Sequence, residues 1–230
     1  MSESRLYQWK IQDFAVLAII PLVLLGGQSL LSIPKLDENH ELASVLAVVI
    51  FVIGFLAAVF LLRDFLSSQW QQFKQRLWRN LFVCVCLTAA TFALMSLARS
   101  VSLGSLEVDP DNDFYNPPLW LLLVSLVPAV LAAFTEELTF RYLLFGKFKG
   151  KLSKTVMFVV SSVLFGLVHW NNVGGNLKLL MPYMVMGAFF ALIYWLGKNI
   201  WFAILAHFFY NSSIVLLPLL ALLLMPILNR

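Results

Sequence analysis

The stretch LWLLLVSLVPAVLAAFTEELTFRYLLF, Leu119 to Phe145, decides how this chain is read. From Leu121 to Phe134 it holds no charged residue; then Glu136 and Glu137 stand side by side, with Arg141 one helical turn beyond Glu137. An acidic side chain at the centre of a bilayer costs about 2.5–3.5 kcal/mol on insertion scales. A sequence that keeps two of them at the end of an apolar run has a use for them. The question is which residues come to meet them.

The surrounding composition says what kind of chain carries this stretch. Of 230 residues, 61% are hydrophobic and 12% charged, and the mean hydropathy is +0.87. Soluble domains sit near 45–50% apolar and about 25% charged. Several uncharged apolar runs are long enough to span a bilayer. The fold class expected is all-α, a polytopic transmembrane helix bundle with seven or eight spans. No stretch between the runs is long enough for a separate unit, so one membrane domain covers 1–230.

Working outward, the spans fall at about 11–31, 42–62, 81–103, 119–145, 155–170 and 179–196, with a last apolar stretch from Ile200. That stretch is too long for one straight crossing at about 1.5 Å per residue, and Pro218 is placed to divide it into a seventh span and a short eighth. Between the second and third spans, Phe65, Leu66, Trp70, Phe73 and Leu77 recur at helical spacing, which reads as an amphipathic helix in the interface. Lys74, Arg76 and Arg79, the four lysines of 147–154, and Lys198 all fall on one side of the alternating spans. Asp37, Glu38 and Glu41, and the acids from Glu107 to Asp113, fall on the other. The positive-inside rule then sets the lysine-bearing end and the N-terminus in the cytoplasm. The run 14–31 exceeds a signal-peptide core of about 7–15 residues and is read as a retained span of an integral membrane protein.

The net charge of +4 is explained by those topogenic loops, and nucleic-acid binding is excluded on that ground. Cys84 and Cys86 lie in one apolar run and point about 200° apart on a helix, which suits neither a disulfide nor a shared metal.

Three one-turn motifs carry chemistry: Glu137 with Arg141, Phe165 with His169, and His207 with Asn211. Residues one turn apart share a helix face, whereas Glu136 is rotated about 100° from Glu137. Two neighbouring carboxylates in low dielectric do not both ionise easily. An arginine can hold one of them charged and leave the other to accept a proton as a general base. His169 can polarise the same water, and His207 with Asn211 can donate to an oxyanion. These are the parts for hydrolysis by an activated water. The structural reading stands beside it: an ion pair and polar contacts gluing helices together, worth about 0.6 kcal/mol each. For His169 to reach Glu136, the fourth span must run helically through the glutamates with no loop at Thr135. The cavity joining Glu136, His169 and His207 is expected to open toward the cytoplasm.

Glu-Glu-x-x-x-Arg, Phe-x-x-x-His and His-x-x-x-Asn, in this order on successive apolar runs, resemble the CAAX-protease and bacteriocin-processing (Abi) family of intramembrane proteases. The resemblance covers about 119–213, which would be the catalytic core. It implies that Glu136 and His169 activate the water, that Glu137 with Arg141 supports the site, and that His207 and Asn211 stabilise the oxyanion. The family is described both as metalloproteases and as metal-independent glutamate proteases. Glu136, His169 and His207 are the candidate ligands for a zinc ion with an open position, although the paired-histidine motif of soluble zinc proteases is absent.

The function expected is an intramembrane endopeptidase in a bacterial plasma membrane, acting on a hydrophobic or lipidated peptide that enters from the cytoplasmic side. The alternative is a non-catalytic bacteriocin self-immunity or scaffold protein that keeps the same polar core. A small transporter or proton relay is a third reading, weakened because no inverted repeat of spans is visible.

Overall fold

The computed structural model describes residues 7–30, 40–103 and 119–228, all helix and short turns. In lipid every backbone polar group must be satisfied within the segment, so long apolar runs close into helices. The helices are α1 (Ile11–Leu30), α2 (His40–Leu61), α3 (Arg63–Phe73), α4 (Leu77–Leu103), α5 (Leu119–Glu136), α6 (Lys151–Leu167), α7 (Leu177–Gly197) and α8 (Ile200–Leu228). Among the described residues four helical stretches are long and apolar enough to cross a membrane, drawn from α2, α3 with α4, α7 and α8. Ile53, Phe60, Trp78, Phe82 and Leu196 are exposed, as lipid-facing side chains of a polytopic helical bundle are.

No loop interrupts the chain at Thr135. α5 passes directly into a π-helical segment, Glu137–Gly146, whose side chains from Glu137 to Leu143 are all buried. A π turn uses i→i+5 bonds, is rare, and occurs most often at functional sites. This composite rod is the centre of the bundle: α5 packs on α2 and α8, and the π segment on α6, α7, α8 and α1. Leu138, Phe140, Leu143, Phe165, Phe190 and Ile204 form the core around it.

Contacts between chain-distant residues fix which helix ends lie together. Lys147 pairs with Asp13 at 2.7 Å and donates to the Gln8 carbonyl. Phe65 stacks on Tyr142 with centroids 3.6 Å apart, and Lys154 lies over Trp195. The start of α1, all of α3, the end of the π segment and the α7–α8 turn therefore share one end, the lysine-bearing one. That turn closes on Lys198 with φ 51°.

Two expectations need correction. Ile200–Leu228 is a single helix of 29 residues, undivided at Pro218; proline is tolerated inside membrane helices. The amphipathic helix 63–73 forms, but its buried face, Phe65, Leu66, Gln69 and Phe73, packs on protein. Asn199 Nδ2 donates to the Gln69 carbonyl at 2.8 Å, Ile200 N–H to Gln69 Oε1 at 3.2 Å and Trp201 Nε1 to the Leu66 carbonyl at 3.1 Å. The acidic loops at 32–39 and 104–118 lie outside the described residues.

Candidate active site

Glu137 is the first residue of the π segment and is fully buried. Its Oε2 lies 3.0 Å from Arg141 Nε and its Oε1 2.9 Å from His207 Nδ1. The ion pair is close but poorly aligned, and Arg141 Nε and Nη1 are left without a hydrogen-bond partner. Aromatic faces surround the guanidinium instead: Phe165 at 4.1 Å, Phe190 at 5.5 Å and Phe140 at 5.9 Å from its carbon to the ring centroids. Its Nη2 donates to the Gly187 carbonyl at 3.2 Å. α6 and α7 approach so closely there that a Cβ at Gly187 would stand 2.8 Å from the Ser162 carbonyl oxygen. Glycine is what lets the two helices pack that closely.

Glu136 has different surroundings. It is 4% exposed and lies in the wall of a cavity of about 620 Å³, whereas Glu137 and Arg141 do not. Its Oε2 has no hydrogen-bond partner and faces His207 Nε2 at 3.9 Å. Leaving a buried acceptor unsatisfied costs about 1–3 kcal/mol, more for a charged group.

His207 stands between the two carboxylates, stacked on Phe190 with centroids 4.6 Å apart and planes at 23°. His169 lines the same cavity and stacks on Tyr183 at 4.3 Å. It sits in the turn just past the end of α6, where the sequence reading had carried the helix on to Trp170. Its Nδ1 is 2.8 Å from the Phe165 carbonyl. A carbonyl can only accept, so the proton is assigned to Nδ1, and the neutral ring has its lone pair on Nε2. Asn211 also lines the cavity and donates Nδ2–H to the Ala129 carbonyl at 2.7 Å.

All six residues singled out in the sequence are thus gathered around one place, in two layers. Glu136, His169, His207 and Asn211 face the cavity, while Glu137 and Arg141 lie behind it. His207 is in addition hydrogen-bonded through Nδ1 to Glu137, a contact that sequence spacing did not indicate. Among the described residues, no three His, Cys, Asp or Glu side chains are gathered as metal ligands.

Sequence reasoning missed Tyr183, which buttresses His169, and Phe190 and Gly187, which hold His207 and Arg141. Each is an ordinary helix residue with a role only in contact, and nothing in one chain marks it. The cavity direction also differs from expectation. Its walls come from Glu136 and His207 outward to Ala47, Arg99 and Asn172, and no lining residue comes from the lysine-bearing end.

Fold and composition define a polytopic helical membrane protein with a buried acid–histidine cluster beside a cavity. Comparison with known proteins supports a membrane protease in general. Residues 118–213 match the family model described as "Type II CAAX prenyl endopeptidase Rce1-like". The chain is 28% identical over 219 residues to a Bacillus subtilis (strain 168) protein named "Putative membrane peptidase YdiL", covering 91% of this chain and 85% of that one. An uncharacterized protein of Mycoplasma capricolum subsp. capricolum (strain California kid) is 31% identical over 100 residues, 43% of this chain and 28% of that one. No solved structure matches. The family match and the Bacillus relative support the CAAX-protease and bacteriocin-processing family for this chain, the family its ordered motifs resemble.

Proposed function

We propose that the chain is an intramembrane endopeptidase that hydrolyses a peptide bond of a hydrophobic or lipidated peptide by an activated water. The observation that carries this reading is the place of Glu136 in the cavity wall beside His169, His207 and Asn211, while its neighbour Glu137 lies behind it against Arg141 and His207. In the proposed reaction Glu136 takes a proton from a water as the water oxygen attacks the scissile carbonyl carbon. The tetrahedral oxyanion is met by an amide hydrogen of Asn211 and by His207. Glu137 holds His207 at Nδ1, which leaves Nε2 turned to the cavity side beside Glu136. Collapse breaks the C–N bond, and Glu136 returns its proton to the leaving nitrogen. His169, with its Nε2 lone pair open, accepts from the attacking water and orients it. Glu137 and Arg141 hold His207 in place and never touch substrate.

Zinc chemistry would supply a Lewis acid for the same attack, and the steps above need only the chain's own groups. The protein is proposed to sit in a bacterial plasma membrane with its N-terminus in the cytoplasm.

The test is cleavage of a quenched peptide library by the detergent-purified protein, with and without a chelator and added zinc. Activity is expected in the wild type and lost in Glu136→Ala and His169→Ala. Cleavage that survives both substitutions overturns the site. A binding-only immunity protein would instead keep its protective effect in cells carrying Glu136→Ala at equal expression.

A further inference from the structure

The cavity does not sit symmetrically in the bundle. Its inner end is Glu136 and His207, the latter seven residues into α8 from the lysine-bearing end, about 10 Å along the helix. From there the walls run the other way. Val215 lies a further two turns along α8, and Arg99 is in the last turns of α4. Asn172 is in the turn joining α6 to α7. Every one of these positions is on the side of the bundle away from the Lys147–Asp13 pair, the Lys154–Trp195 contact and the α7–α8 turn.

Charge orients the bundle. The end holding Lys74, Arg76, Arg79, Lys147 and Lys198 has far more basic residues in short connections than the other, where Glu107, Asp109, Asp111 and Asp113 follow α4. Lysine and arginine in short loops set orientation, with the basic side retained in the cytoplasm.

We propose that the cavity is entered from the non-cytoplasmic side of the membrane, past Arg99 and Asn172. Its substrates are then exported peptides, or the outer juxtamembrane segments of membrane proteins. The inference rests on the reading of this cavity as the place of hydrolysis. A prenylated C-terminus presented at the cytoplasmic surface would meet the end of the bundle where the π segment, α3 and Tyr142 are packed together. Arg99, among the described residues the one lysine or arginine in the cavity wall, stands where an incoming acidic group would pass first.

The test uses introduced cysteines and a membrane-impermeant maleimide on the full chain in right-side-out and inside-out vesicles. The native Cys84 and Cys86, one buried and one in an apolar helix, give the wild-type blank. Ile214→Cys and Asn172→Cys are expected to react in right-side-out vesicles and to lose that labelling in inside-out ones, with Lys149→Cys showing the reverse. Labelling of both cavity positions only in inside-out vesicles, or from neither side, overturns the proposal. An impermeant quenched peptide added to right-side-out vesicles separates the two claims. Correct labelling without Glu136-dependent cleavage sinks the protease reading and leaves the access route standing. Cleavage confined to inside-out vesicles does the opposite.

Discussion

Glu136 and Glu137 are sequence neighbours with different surroundings. Glu137 is enclosed by an arginine and a histidine, and removing one member of a buried charge pair leaves the other uncompensated, at about 3–5 kcal/mol. Arg141→Ala is therefore expected to lower thermal stability in detergent by that order, measured by a melting shift. Glu136→Gln keeps the volume and removes only a carboxylate that is outside the arginine pair and 3.9 Å from His207. It should melt close to the wild type while its cleavage rate falls by about 10²–10⁴, the span of a general base. The one-turn spacing from Glu137 to Arg141 made that pair legible in the sequence. Which carboxylate faces the cavity was legible only as a division, since the π widening that begins at Glu137 has no signature in residue types. His207 was assigned with Asn211 on spacing alone; Glu137, seventy positions away in sequence, claims its Nδ1.

At the scale of elements, the decisive fact is the unbroken rod from Leu119 to Gly146. The apolar run and the depth argument foretold it, because His169 could not otherwise approach Glu136. The end of α6 was not foretold, since Val168 to Trp170 continue the apolar pattern and only backbone geometry shows the turn. The α6–α7 contact offers a sharp probe. A larger side chain at Gly187 would push against Ser162 and Phe165 and disturb the packing that sets the residue 187 carbonyl beside Arg141. Overpacking of this kind costs about 1–3 kcal/mol, so Gly187→Leu should melt earlier and lose activity together, whereas Glu136→Gln should separate the two. α3 shows a further limit of pattern reading. An amphipathic stripe fits a lipid surface and a protein surface equally well, and the contacts with Asn199, Ile200 and Trp201 decide it. Gln69→Ala, which strips a buried acceptor from the Ile200 N–H, should cost about 1–3 kcal/mol in the same melting assay.

At the scale of the whole molecule, composition and charge asymmetry made the membrane class legible at once, because a bilayer imposes apolar length and basic loops directly on the sequence. Cavity direction relative to the lysine-bearing end was not legible, because it depends on which residues of α2, α4, α5 and α8 come together in space. The molecule places its aromatic packing and basic residues at one end and its acid–histidine cavity toward the other. That arrangement joins the catalytic reading to the access proposal.

The measurement that bears most directly on the central claim is cleavage of a quenched fluorogenic peptide by purified protein, comparing wild type with Glu136→Gln at matched melting temperature. The account predicts robust cleavage by the wild type and a loss of about 10²-fold or more in the variant. Cleavage at an undiminished rate by a folded Glu136→Gln protein would contradict it.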